Sequence, residues 1–400
     1  MKSKSKKFIY FKIKIMSKTS KFLVALFLVS FVFIFNSGRA QVDSSRAMHL
    51  QLVFALDATG SMSGLIGTAK EKIWSIASSM AQSEPAPEIE VGMVFYRDKG
   101  DKFVTRFLPL SHNLDELYSK LMEIEAEGGG DTPESVNRAF FEAVNEMKWS
   151  MDTSVIKNIF LVGDCPPHMD YREVKYPETC KEAKKKGIEV NTILMGNDYT
   201  AKKIWKDIAD CAGGEFLEMD MQANNFEITS PYDAQIKTLS EQLDASRIYY
   251  GEKMKIITST KKEEADKLKD ITASESSRRT DYNLMNENNK SNYYGEKELL
   301  FDIIHAKVKL EEIKESDLPD VILKIEKEKR AAHVTDLVAK RTGLEKNLSD
   351  LLKQRDEYLA KELDKIDKEE VESSFNSRVY EKMRHSAKRK GYNTKVRSKF

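Results

Sequence analysis

Apolar and polar positions follow two rhythms along the first half of the chain. Short, nearly continuous apolar runs recur at residues 50–56, 88–96 (EIEVGMVFY), 157–163 (KNIFLVG), 187–195 (GIEVNTILM) and 215–219, with a further strand expected at 103–110. Runs of this length and density suit strands covered on both faces. Between them, apolar residues return every three or four positions. In residues 63–80, Leu65, Ile66, Ile73, Ile76 and Ala77 fall on one side, which predicts a helix that ends near Pro85. Further helices are expected over 112–126, from Pro133 to about Lys148, over 176–186 and over 201–212. Proline is tolerated in a first helical turn, where its missing N–H has no partner to lose.

Strands alternating with helices predict an α/β fold: a doubly wound, mostly parallel six-stranded sheet over residues 47–225. The turn-rich residues 97–102 should make the second and third strands an antiparallel hairpin, with Asp98 and Asp101 as turn residues. In such sheets ligands collect outside the carboxyl ends of strands where strand order reverses. Two strands end on aspartates, Asp57 and Asp164. If the first and fourth strands flank the reversal, both carboxylates face one crevice.

From about residue 226 to 400 the pattern changes to a charged, α-helical region. Residues 233–264 and 318–371 are helix-prone, and 274–294 are polar, poor in aliphatics and expected to form a flexible connector. Leu344, Leu348, Leu352, Leu359, Leu363 and Ile366 form a stripe suited to a helical hairpin or coiled coil, and so to self-association. Residues 382–400, rich in Lys and Arg, read as a solvated tail, with contact to an anionic surface as the alternative.

Composition adjusts this picture at three points. The formal net charge is only +1, which gives no global argument for nucleic acid. The three cysteines are too few to build a disulfide scaffold, and Cys180 with Cys211 is the preferred pair. The N-terminus is basic, then apolar over 22–35, then carries small residues at Gly38 and Ala40. That is the layout of a signal peptide over residues 1–40, implying an exported, periplasmic or secreted chain. An uncleaved membrane anchor is the alternative, although a spanning helix needs about 20 apolar residues.

The candidate chemistry is concentrated in three loops. Asp57-x-Thr59-x-Ser61 follows the first strand, Gly130-Asp131-Thr132 precedes a helix, and Asp164 follows the fourth strand. Oxygen side chains in one turn suit a hard cation such as Mg²⁺, and Asp, Thr and Ser also cap helices well. Cys165-Pro166-Pro167-His168 should line the rim, with His168 as a partner contact or a solvated loop residue. Trp74, Trp149 and Trp205 read as packing residues.

These three motifs, in this order on these elements, resemble the metal-ion-dependent adhesion site of von Willebrand factor type A domains. The resemblance implies a site for Mg²⁺, Ca²⁺ or Mn²⁺ in which Thr59 and Ser61 bind directly while Asp57 and Asp164 act mainly through water. It also implies a protein partner offering an acidic residue to the metal across a rim that includes Gly60, Met62 and His168. The family usually supplies a threonine where Asp131 falls, so Asp131 and Thr132 are alternative ligands. Gly129-Gly130-Asp131-x-Pro133-Glu134 also resembles a bacterial subgroup of these domains. Two other functions compete with a binding module: a Mg²⁺-assisted hydrolase in the same crevice, with only His168 and Cys165 near enough to serve, and a structural protein dominated by its helical region. No Gly-x-Ser-x-Gly, Walker loop or His-Glu-x-x-His motif occurs in the chain.

Overall fold

A computed structural model describes residues 48–81, 86–130, 132–219 and 228–392. The expected signal peptide at residues 1–40, Asp131 and the last eight positions lie outside the described residues. Six strands form one sheet: β1 (His49–Asp57), β2 (Glu88–Tyr96), β3 (Thr105–Ser111), β4 (Ile156–Gly163), β5 (Glu189–Met195) and β6 (Phe216–Met219). Their order is β3-β2-β1-β4-β5-β6, all parallel except the β2–β3 hairpin. The reversal of strand order falls between β1 and β4, as the doubly wound reading requires.

The helices between and after the strands are α1 (Ser63–Ala81), α2 (Leu114–Leu121), α3 (Val136–Asn145), α4 (Tyr176–Lys185) and α5 (Tyr199–Cys211). Both α2 and α3 are shorter than their sequence patterns suggest. Residues ahead of α3 instead form a parallel bridge, Glu134 with Pro167. Side chains of a strand alternate between faces, and β1 shows the consequence. Leu52, Phe54 and Leu56 pack with Trp74, Met80, Leu117 and Tyr118 on one face. Val53 and Ala55 pack with Val136, Phe140, Trp205 and Ile208 on the other. Cys180 and Cys211 form a disulfide between α4 and α5.

The C-terminal half comprises α6 (Asp233–Ala245), α7 (Met254–Lys267), α8 (Ala273–Leu284), α9 (Glu287–Tyr294), α10 (Leu299–Ile304), α11 (Asp320–Leu323), α12 (Lys327–Leu363), α13 (Lys368–Ser373) and α14 (Phe375–Arg389). The expected connector at 274–294 is helical and largely buried, in α8 and α9. A capping box, Thr272 with Glu275, starts α8. Its polar side chains are buried in pairs: Arg279 bridges Asp115 at 2.6 Å and Asp244 at 2.8 Å, and Tyr118 donates to Glu275 at 3.1 Å. Tyr282 adds an aromatic contact to Trp74. Polarity here reports buried, paired side chains such as Arg279 and Glu275 rather than solvation.

The basic tail is likewise part of the core as far as Tyr392. Val379, Tyr380, Met383, Ala387 and Tyr392 are buried in the same cluster as Trp74 and Phe54. Lys382 pairs with Glu215 and Arg389 with Glu189. The leucine stripe of α12 is used within the chain: Leu348 and Leu352 pack with Ile236, Leu243, Tyr293, Tyr294 and Phe301. Arg355 pairs with Asp233 at 2.7 Å and Arg341 with Glu298 at 3.1 Å, all four buried. Residues 47–400 form one compact unit.

Removing one partner of a buried ion pair leaves an uncompensated charge and costs about 3–5 kcal/mol. Arg279→Leu, which strands Asp115 and Asp244, is expected to lower stability by that order in urea unfolding. A loss under about 1 kcal/mol would mean the helical half is not coupled to the sheet through this residue.

Candidate metal centre

Parallel pairing sets the geometry of the crevice. Leu56 lies opposite Val162, so β1 and β4 leave the sheet at the same end carrying Asp57 and Asp164. Asp57 is fully buried. Its Oδ1 accepts from the Thr59 backbone N–H at 2.9 Å and from the Thr59 hydroxyl at 2.7 Å, while Thr59 Oγ1 lies 3.1 Å from Ser61 Oγ. The Asp-x-Thr-x-Ser spacing thus folds back on itself as a closed turn. Arg97 holds this turn from outside the cluster, donating to the Ala58 carbonyl at 3.0 Å and the Glu125 carbonyl at 2.7 Å.

Close approach dictates one residue type. A Cβ at Gly163 would lie 2.2 Å from Tyr96 Oη and 3.2 Å from Asp57 Cβ. Tyr96 has no freedom to yield, because it is buried and donates to the Val162 carbonyl at 3.0 Å.

The second loop delivers a residue that sequence reasoning did not single out. Thr132 is exposed, whereas Glu134 is 2% exposed and turned inward. Glu134 N–H donates to the Pro166 carbonyl at 3.0 Å, and its own carbonyl accepts from His168 N–H at 3.0 Å. Its signal was an acid just ahead of a helix, a position that the helix dipole alone would favour.

Asp98 and Asp101 are more than turn residues. Asp98 is buried and accepts from Ser135 Oγ at 2.8 Å and Tyr171 Oη at 2.7 Å, tying the β2–β3 loop to the start of α3 and to the loop after β4. Asp101 Oδ2 accepts from the Gly129 N–H at 3.2 Å. Two expected rim residues are not at the rim. Met62 is fully buried in the core, and His168 is 7% exposed, bonded through Nδ1 to Asp170 at 2.8 Å and stacked on Tyr171. Gly60 and Ser61 are exposed at the mouth.

Four buried carboxylate oxygens among the described residues have no hydrogen-bond partner: Asp57 Oδ2, Glu134 Oε2 and Asp164 Oδ1 at the crevice, and Glu173 Oε1 further along the segment between β4 and α4. Burial, with added repulsion from Asp164 and Asp101, pushes Asp57 up to about 7 against the pull of the Thr59 hydrogen bonds. Burial and the neighbouring Asp57, Asp98, Asp101 and Asp164 push Glu134 up to about 8. Unsatisfied buried acceptors beside two hydroxyls are the donor chemistry of a hard divalent cation. Among the described residues no group of three or more His, Cys, Asp or Glu side chains forms a ready ligand cage. The hydroxyls of Thr59 and Ser61 would therefore have to contribute. Burial also pushes the Cys165 thiol upward, further raised by a hydrogen bond to Asp164, so it is not a ready nucleophile.

With this geometry in view, residues 51–221 match the family profile described as von Willebrand factor A domain. A putative ariadne-like RING finger protein of Acanthamoeba polyphaga mimivirus is 28% identical over 122 residues, 30% of this chain and 11% of that protein. The chain thus spans about a tenth of the length of that curated relative. Among solved structures, the SpRpn10 VWA domain is similar with TM-score 0.35 and 13% identity, over 44% of this chain and 91% of that one. Proximal thread matrix protein 1 from the mussel byssus gives TM-score 0.33 and 13% identity, over 43% of this chain and 42% of that one.

Carboxyls whose folded-state pKa is raised bind more protons folded than unfolded, so they favour folding at low pH and oppose it as pH rises through about 7–8. In EDTA, the melting temperature is expected to fall between pH 5 and pH 8, and Asp57→Asn should flatten that fall. A melting temperature independent of pH in this window would contradict the burial of unpaired acids. Gly163→Ala is expected to cost about 1–3 kcal/mol by overpacking, read from its thermal unfolding midpoint.

Proposed function

Residues 51–221 form a von Willebrand factor A domain, and from that premise we propose that the chain is a divalent-cation-dependent protein-binding module. The observation that carries this reading is the set of orphaned oxygens of Asp57 and Asp164 at the strand-order reversal, beside the hydroxyls of Thr59 and Ser61. Thr59 and Ser61 would ligate the ion directly, with Asp57 and Asp164 supplying charge and Asp131 or Thr132 completing the shell from the neighbouring loop. Mg²⁺ is the favoured ion, with Mn²⁺ and Ca²⁺ as substitutes. When bound, the ion supplies a positive focus for an anionic group. The chain's own work is to hold the hydroxyls in one turn, to keep water from the two aspartates, and to fix the loops through Arg97 and Asp98. The partner would be a protein meeting the exposed mouth at Gly60 and Ser61 with an acidic side chain.

Export is part of the proposal. The basic-then-apolar N-terminus supports it, as does the Cys180–Cys211 disulfide, which suits an oxidising compartment. Among the described residues no helix is long and apolar enough to cross a membrane.

Calorimetry with Mg²⁺ on the chain lacking residues 1–40 tests the reading. Binding is expected near one ion per chain, tighter at pH 8 than at pH 6 because the acids must lose protons to admit it. Asp57→Ala is expected to abolish it and Ser61→Ala to weaken it at least tenfold. Equal binding by wild type and Asp57→Ala would reject the site.

A further inference from the structure

We propose that Glu134 is an internal ligand of this site, occupying the coordination position that would otherwise be open to an acidic residue of a partner. The proposal rests on the cation-binding reading above and concerns how that site is closed. Three loops bring orphaned carboxylate oxygens to the crevice: Asp57 Oδ2 after β1, Glu134 Oε2 before α3 and Asp164 Oδ1 after β4. Asp57 is fully buried and Glu134 is 2% exposed, so water at the surface cannot satisfy either carboxylate.

Backbone constraints aim Glu134 inward. Its N–H and C=O are both bonded to the loop after β4, at Pro166 and His168, and the next N–H, from Ser135, is bonded to the Arg97 carbonyl at 3.2 Å. With both flanks pinned, the backbone at Glu134 is fixed between the loops that carry Arg97 and Pro166. A Cβ built on Gly129 would lie 3.3 Å from Thr59 Cβ and 3.5 Å from Glu134 Oε1, so the threonine and the glutamate flank the same glycine.

The charge balance gives this placement a consequence. Asp57, Glu134 and Asp164 sum to three negative charges against a divalent ion, and Asp101 stands near, bonded to the Gly129 N–H. A site with that balance holds its ion firmly and has no positive charge left over for a carboxylate. A partner's acid must then displace Glu134 rather than fill an open position. The same glutamate that raises affinity for the ion lowers affinity for the partner's acid.

The test uses the full mature chain titrated with Mn²⁺, with acetate as the carboxylate probe. Calorimetry gives the ion affinity, and water-proton relaxation gives the number of exchangeable waters on bound Mn²⁺. Glu134→Gln, which preserves shape, is expected to weaken Mn²⁺ about tenfold, to add roughly one exchangeable water, and to let acetate displace that water at lower concentration than in wild type. Glu134→Asp, retaining the charge on a shorter arm, should fall between the two. Circular dichroism in EDTA establishes that each variant is folded. Wild-type affinity and water count in Glu134→Gln, with Asp57→Ala still abolishing binding, would overturn the role of Glu134 and leave the cation site standing. No Mn²⁺ binding by folded wild type would overturn the cation site itself, and this inference with it.

Discussion

The carboxyl ends of β1 and β4 lie side by side, and each carries an aspartate into the same water-poor crevice. Parallel pairing of Leu56 with Val162 makes this unavoidable once the two strands are neighbours. Burial, with added repulsion among the neighbouring acids, pushes Asp57 up to about 7 and Glu134 up to about 8. Much of the surrounding structure can be understood as support for that arrangement. Arg97 braces the first turn, Asp98 joins three loops, and Gly163 leaves room where any side chain would strike Tyr96. None of these groups donates to the orphaned oxygens of Asp57, Glu134 and Asp164.

The helical half is tied to the same scaffold by a different force. The sheet face carrying Leu52, Phe54 and Leu56 has α1 and α2 from its own crossovers, and α8 and α14 contribute Tyr282, Val379 and Met383 to the same cluster. That is an apolar requirement, met by elements more than 200 residues away in sequence. The buried pairs Arg279–Asp115, Arg341–Glu298 and Arg355–Asp233 then fix which helix lies where. Such pairs add little net stability over apolar replacements, but their orientation requirements disfavour other packings.

The strand pattern, the hairpin, the reversal between the first and fourth strands and the Asp57-x-Thr59-x-Ser61 turn were legible from residues alone. Each follows from short-range chemistry: apolar runs of strand length, turn formers at residues 97–102, and oxygen side chains two apart. The disulfide partners Cys180 and Cys211 also emerged from their positions in neighbouring helices.

What failed in sequence failed for one reason, the reliance of burial on partners distant along the chain. Residues 274–294 look solvated because their polar groups are counted singly, yet Arg279 and Glu275 find Asp115 and Tyr118 about 160 positions away. Leu348 and Leu352 of the α12 stripe pack within the chain against Ile236 and Leu243, more than 100 positions away. His168 and Met62 read as rim residues by proximity in sequence to the motif, and packing turns both inward. Sequence determined the sheet and its switch point, because those depend on local period and side-chain identity. Tertiary structure alone decided that Glu134 is buried while Thr132 is exposed, since that depends on backbone bonds to Pro166 and His168 in another loop.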